Sequence, residues 1–234
     1  VTDPDRPVTD EAMTPGLEGW LREAIREGRG RPLGSGYQAS VRAYTTPAGE
    51  IVVKQAHASW LLGAVWRRLL RREHGVYRRL TGIAGIPRCL GLLGDDCLVL
   101  EHIAGPSLRE YESRLLDRET FFGRLRQTLD AMHASGVAHG DLKRKDNVIV
   151  GPGEQPYLVD FGVAFLRSSR RALLNRVLFD PVRQIDDNAW VKLKYQRRFD
   201  ALSAEDARLY RPLLLERVAR AIRIPWQKLT LRRP

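Results

Sequence analysis

The chain has 234 residues and 26.6 kDa, of which 43% are hydrophobic and 29% charged, enough apolar material for one sizeable domain or two small lobes sharing a cleft. That balance excludes wholesale disorder and a collagen-like fibre, and charge interrupts every apolar run before the roughly 18 to 20 residues of a membrane-spanning helix. The 39 Lys+Arg against 28 Asp+Glu leave a formal charge of +11, which draws the protein toward phosphates, nucleic acid or an acidic membrane surface without choosing among them.

Residues 1–15 read as a polar tail, acidic at its start and without the basic-then-apolar order of a secretory signal, so a cytoplasmic location is expected. Leu17–Arg26 reads as a short helix entered through Thr14-Pro15 and closed near Gly28 and Gly30. From Leu33 to about Lys54, β-branched and aromatic residues predict a hairpin, Tyr37–Tyr44 then Glu50–Gln55, around a turn at Thr46-Pro47-Ala48-Gly49. Trp60–Leu80 is helical by period, with Leu62, Trp66, Leu69, Val76, Tyr77 and Leu80 on one face and Arg67, Arg68, Arg71, Arg72, Arg78 and Arg79 on the other. Glu73 falls inside the apolar arc, where an unpaired carboxylate is costly, so the fold must bring it a cation. Cys97–Ile103 reads as a strand running into the linker Ala104-Gly105-Pro106. Helices are expected at Leu108–Leu116 and Glu119–Ala134. After the loop Gly136–Asn147, two short strands, Val148–Val150 and Tyr157–Val159, flank Gly151-Pro152-Gly153. The remainder reads as mostly helical, with Ser203 and Asp206 at capping-box-like spacing, Pro212 starting or kinking a second helix and Pro225 stopping it. The two cysteines, Cys89 and Cys97, lack metal-site or redox spacing and read as reduced thiols near the core.

Four signals follow one another in order. Leu33-Gly34-Ser35-Gly36-Tyr37-Gln38-Ala39-Ser40-Val41 is a glycine-rich turn between strands, able to bring backbone amides close to phosphate oxygens. It is not a Walker loop, because no Gly-Lys-Ser/Thr follows, and Ala39 stands where a third glycine is usual. Lys54 ends the apolar Ile51-Val52-Val53 run, positioned to enter the interior as the cation that Glu73 demands; in a phosphotransferase such a pair holds the α- and β-phosphates of a nucleotide. In the polar loop from Val137 to Val150, Asp141 is placed to orient or deprotonate an attacking hydroxyl, Lys143 to neutralise a transferring phosphoryl group and Asn147 to ligate Mg²⁺. Tyr157-Leu158-Val159-Asp160-Phe161-Gly162 is a short strand delivering Asp160 for metal ligation, followed by a glycine able to turn.

As an ordered set, from the glycine turn at 34–41 through Asp160-Phe161-Gly162, these residues resemble the protein-kinase-like superfamily over about residues 31–195. The compact length and the His139-Gly140-Asp141 loop are most similar to bacterial lipopolysaccharide-core and Kdo kinases and to RIO kinases. The resemblance implies an α+β, two-lobed fold: a tail and short helix at 1–30, a small antiparallel-sheet N-lobe with one long helix at 31–103, and a reduced, mostly helical C-lobe at 104–234. It also implies ATP and Mg²⁺, or Mn²⁺, as cofactors. Leu33, Gly34, Ser35, Gly36, Tyr37, Val41 and Val52 then cover the nucleotide, Leu100 is the gatekeeper, and the backbones of Glu101 and Ile103 meet the adenine edge. Lys54 and Glu73 form the ion pair, Asp141 is the catalytic aspartate with Lys143 beside it, and Asn147 and Asp160 hold the metal. His139, Phe161 and Gly162 support the loops.

The chain departs from that pattern in places. Asn147 lies six positions after Asp141 rather than the usual five, and Asp146 occupies the fifth place, which makes it an alternative ligand. Gly140 replaces the arginine that clasps a phosphorylated activation loop, and no Ala-Pro-Glu segment follows Gly162, so switching by activation-loop phosphorylation is not expected. The basic tract Arg167, Arg170, Arg171, Arg183, Lys192, Lys194, Arg197 and Arg198 is either an acceptor-facing surface or simply solvated. Trp60 and Leu61, with the arginines that follow, suit peripheral contact with an anionic membrane. The expected activity is therefore transfer of the γ-phosphoryl group of ATP to a hydroxyl, first a sugar of an envelope glycolipid at the inner membrane face and second a protein Ser/Thr. A nucleotide-binding pseudokinase and an RNA-associated factor stand as the readings from other classes.

Overall fold

The computed structural model describes residues 13–35, 39–46, 49–57, 63–167 and 172–211. An antiparallel sheet of five strands forms one part: β1 (Arg31–Ser35), β2 (Ala39–Thr46), β3 (Gly49–Ala56), β4 (Cys89–Leu93) and β5 (Cys97–Glu101), in the order β1-β2-β3-β5-β4. Strand alternation sorts the side chains into two layers. Ile51, Val53, Cys97 and Val99 face helix α1 (Pro15–Arg26), whose Leu21 and Ala24 are fully buried against them. Thr14 caps that helix by accepting from the Leu17 N–H at 3.3 Å, and Pro15 supplies the fixed φ of the first turn. Val52, Ala56, Leu98 and Leu100 face the other way, toward α2 (Gly63–Arg79) and the main core. Lys54 shares the phase of Val52 and Ala56 and is therefore directed to that side.

The rest is mostly helical. The linker after β5 crosses the end of β7 (Val148–Val150) at Gly105, where φ is +153° and a Cβ would lie 2.0 Å from the Val150 carbonyl oxygen; Val150 N–H in turn donates to Pro106 at 2.9 Å. Only glycine fits that crossing. Helix α4 (Arg118–Ala134), capped by Asp117 on the Thr120 N–H at 3.0 Å, buries Phe121, Phe122, Leu125, Leu129 and Met132. Helix α5 (Ala172–Lys194) packs on it, and Trp190 donates its indole N–H to the Phe122 carbonyl at 3.0 Å. Two small antiparallel pairs complete the frame: β7 with β8 (Pro156–Leu158), and β6 (Val137–Ala138) with β9 (Phe165–Leu166).

Several expectations shift by local physics. The long helix is described from Gly63, and Leu70 joins Val76 and Tyr77 in the core while Leu69 is only partly covered. The helix expected at Leu108–Leu116 is one α-turn, α3 (Leu108–Tyr111), then a 3-10 turn at Glu112–Arg114, where Lys145 and Arg118 both draw the Glu112 carboxylate. Strand β8 starts one residue earlier than expected. Strand β4 was not anticipated, because Gly91 at φ +132° puts an irregularity into its pairing and breaks the alternation. Ser203 caps α6 (Ala204–Leu209) by accepting from the Asp206 N–H at 3.1 Å, but the reciprocal half of the expected capping box is missing, because the Ser203 N–H donates to Tyr195 Oη at 3.2 Å; Pro212 and Pro225 lie outside the described residues. Both cysteines are free; burial, reinforced by Asp96, pushes the Cys97 thiol up to about 12.

Gly105→Ala is expected to lower stability by about 1–3 kcal/mol through strain at the crossing, read as a shift in urea midpoint. At the α5–α6 contact, the buried Asp206 carboxylate accepts from Lys194 Nζ at 2.8 Å and Tyr195 Oη at 2.6 Å. Burial alone raises its pKa, but these partners outweigh that and hold it below the usual 3.8. Its contribution is thus present above the unfolded pKa and lost as pH falls through the lower folded value. Asp206→Asn is expected to melt below wild type at pH 7, by an amount worth about 1–3 kcal/mol, and thermal scans should show the gap closing as pH drops toward and below 3.8.

Candidate active site

One cavity of about 970 Å³ opens between the sheet and the helical part. Its apolar walls include Leu33, Val41, Val52, Leu100 and Ile103, and its polar end gathers Lys54, Glu73, Asp141, Asn147 and Asp160. Residues separated by more than 100 positions in sequence thus meet at one place. Gly34, in β1, also lines it; Gly36 and Tyr37 lie outside the described residues, as do Trp60, Leu61, Arg170 and Arg171.

Period 2 in β3 and period 3.6 in α2 direct Lys54 and Glu73 at each other, with Lys54 Nζ 2.9 Å from the Glu73 carboxylate. The same ammonium lies 2.7 Å from Asp160 Oδ1. Side-chain exposures of 3% for Glu73, 17% for Lys54 and 47% for Asp160 grade the group from sealed to open. Burial pulls the Lys54 pKa down, but its two carboxylates outweigh that and hold it above the ordinary lysine value. Burial raises Glu73 despite the lysine, whereas the nearby ammonium brings Asp160 below the usual carboxylate range against its own desolvation. Asp160 has φ +64°, an uncommon conformation for a non-glycine residue, in the turn that swings its carboxylate toward Lys54. Phe161 is fully buried, edge-on to Tyr77 at 5.0 Å and against His139 at 4.9 Å.

The loop from His139 to Asn147 is held from within. The His139 ring takes the Asp141 N–H on Nδ1 at 3.3 Å and donates from Nε2 to the Val159 carbonyl at 3.1 Å, so it braces the loop against the strand leading to Asp160. Asn147 donates its amide N–H to the Asp141 carbonyl at 3.1 Å, which leaves its Oδ1 as the atom available to a cation. Asp146 also lines the cavity, but both its carboxylate oxygens are engaged in a two-pronged pair with Arg109 at 2.7 and 2.8 Å. Lys143 Nζ and Arg144 Nη1 stand 3.9 and 3.8 Å from the Asp141 carboxylate; Arg144, rather than Lys143, belongs to the cavity wall. The Glu101 N–H is spent on the Arg88 carbonyl at 2.9 Å.

Three contributors escaped the sequence reading. Asp186, on α5 and fully buried, accepts from the His139 N–H at 2.7 Å and the Gly140 N–H at 2.9 Å, and lies 3.1 Å from His133 Nε2. Arg72, assigned to the polar face of α2, reaches the carbonyls of Gly162 (3.3 Å) and Ala164, pinning the turn after Asp160 to the helix that carries Glu73. Arg109 engages Asp146. None has a sequence signal, because the partners are backbone groups or a residue far along the chain. The basic tract, in turn, is not one surface: Lys194, partly buried, pairs with Glu119 and Asp206, and Arg183 leans on Asp187 at 4.0 Å.

No family model matches the chain. A protein of Oryza sativa subsp. japonica described as "Putative cyclin-dependent kinase F-2" is 44% identical over 80 residues, covering 29% of this chain and 23% of that protein's length. Over that stretch the chain is similar to a protein described as a kinase, of which it spans about a quarter of the length. Among the described residues, no helix is long and apolar enough to cross a membrane.

Asp186→Ala strips the acceptor from two backbone amides beside Asp141. We expect a loss of about 2–5 kcal/mol in denaturant unfolding, whereas Asp186→Asn, which retains a carbonyl acceptor, should lose less.

Proposed function

We propose that the protein is an ATP-dependent phosphotransferase with a two-lobed kinase-like fold, residues 31–103 and 104–234 forming the lobes on either side of the cavity. The observation that carries this reading is the convergence of Lys54, Glu73, Asp141, Asn147 and Asp160 at the polar end of one apolar-walled cavity. The adenine is assigned to the slot between Leu33, Val41, Val52 and Leu100, its edge toward the Glu101 and Ile103 backbones, and the phosphates to the end at Lys54.

The donor set fits a hard divalent cation: the half-exposed Asp160 carboxylate and the Asn147 amide oxygen supply two ligands, leaving the remainder to phosphate oxygens and water. Mg²⁺, or Mn²⁺ on the same oxygen donors, supplies charge neutralisation of the phosphates when bound. Asn147 is preferred to Asp146 because Arg109 already occupies both oxygens of the latter.

In this reading Asp141 accepts the proton of the acceptor hydroxyl as its oxygen bonds to the γ-phosphorus and the bond to the β-phosphate oxygen breaks, releasing ADP. Lys54, held by Glu73, binds the α- and β-phosphates; Lys143 and Arg144, flanking Asp141, offset charge on the transferring group. The acceptor we assign first is a sugar hydroxyl of an envelope glycolipid at the cytoplasmic membrane face, on the resemblance to bacterial lipopolysaccharide and Kdo kinases. A protein Ser/Thr hydroxyl is the second reading, favoured by the partial match to a protein described as a cyclin-dependent kinase.

The test is transfer of label from γ-labelled ATP with Mg²⁺ into a bacterial lysate separated into glycolipid, protein and RNA fractions. Wild type should label one fraction, and Asp141→Ala should reduce that labelling by about 10²-fold or more while keeping ATP binding. Equal labelling by both, in folded protein that binds ATP, would replace this reading with a nucleotide-binding pseudokinase.

A further inference from the structure

The outward face of α2 carries charge that the site does not use. Stepping about 100° per residue places Arg67, Arg68, Arg71, Arg72, Arg78 and Arg79 on one arc of about 140°, with no acidic residue on it. The acid of the helix, Glu73, is buried on the opposite side. Arg72 and Arg79, at the border, are turned to backbone carbonyls, Arg79 donating to Ser135 at 2.6 Å. Arg67, Arg68, Arg71 and Arg78 are exposed and, among the described residues, pair with no carboxylate. Together they form a row about 16 Å long. Its end is extended by Arg167: a Cβ built on Gly136 would lie 3.1 Å from Arg79 Nη2 and 3.5 Å from Arg167 Nε, so two guanidinium groups converge there.

Like charges at i, i+3 and i, i+4 weaken a helix, so this row works against the stability of the element that holds Glu73. We propose that the row is a docking ridge for the phosphodiester backbone of a nucleic acid, bound without base readout. Every cation on it is arginine, whose planar fork meets phosphate oxygens in pairs. A bilayer fits less well. The apolar arc of α2 is consumed by Leu70, Val76 and Tyr77 in the core, between the free arginines stand only Ala64 and Gly75, and Val65 is the one large apolar side chain of the described helix that is exposed, too little for an apolar face to insert. The proposal does not depend on phosphotransfer.

Binding of a fluorescent 20-base-pair duplex, followed by anisotropy over a salt series, tests it. The Arg67→Gln/Arg71→Gln/Arg78→Gln variant should bind at least about tenfold more weakly at 0.1 M salt, with the slope of log K against log salt shallower by about 2.7, while Arg114→Gln, exposed and away from the ridge, behaves as wild type. Arg71→Glu alone, placing an acid amid the row, should lose more affinity than Arg71→Gln. Melting of the triple variant at or above wild type would support the like-charge argument and show that it folds; if it does not fold, the Arg71 pair carries the test. An unchanged salt slope in the variants, or no duplex binding by wild type, would overturn the proposal. So would loss of binding to phosphatidylserine vesicles with duplex binding intact, which would assign the ridge to a membrane.

Discussion

A carboxylate inside a protein has to be answered. Glu73 lies in the interior, where removing a carboxylate from water costs several kcal/mol, and Lys54 is the cation that makes its burial tolerable. The consequence is geometric as much as energetic, because the two charges come from a strand and a helix that must hold a fixed spacing to meet. Asp160 then shares the same ammonium and brings in a third element, the turn after β8. Breaking any one of these contacts leaves a partly desolvated charge behind, so strand, helix and turn are fixed together or not at all. Arg72 and the Tyr77–Phe161 contact add neutral and cationic ties along the same seam.

A second buried carboxylate does comparable work by other means. Asp186 meets the amides of His139 and Gly140, so α5 fixes the start of the loop that carries Asp141 and Asn147. His139 continues the chain of contacts to the Val159 carbonyl, one residue before Asp160. The loop and the turn are thereby placed by two neighbouring scaffolds, one from the sheet side and one from the helical side. The polar end of the cavity lies where they meet, on rigid elements rather than on a free loop.

Which features were readable from the chain depended on what kind of partner each residue has. Lys54 and Glu73 were legible because alternation in a strand and a 3.6-residue period in a helix both put a charged residue on an apolar face, and the two demands complement each other. Asp141, Asn147 and Asp160 stood out as polar residues at set spacing between short apolar strands. Asp186 was silent: backbone amides are its partners, and any residue supplies those. Strand β4 was hidden by the irregularity at Gly91, and the early end of α3 by the pull on Glu112 of Arg118, six residues on, and of Lys145, 33 residues on. Local pattern carries local structure, whereas ties across tens of residues leave no periodic trace.

The placing of Arg72 beside Glu73 bears on how the helix can move. A slip of α2 by one residue rotates its side chains by about 100° and changes which of them faces the ammonium. The residue before Glu73 is an arginine and the residue after it is His74, so displacement toward either neighbour replaces attraction at Lys54 by a cation or by an imidazole. The same slip pulls Arg72 away from Gly162 and Ala164. Intermediate positions are therefore penalised on both sides, and the helix behaves as a detent: it sits in its notch or leaves it altogether, with no gradual path between.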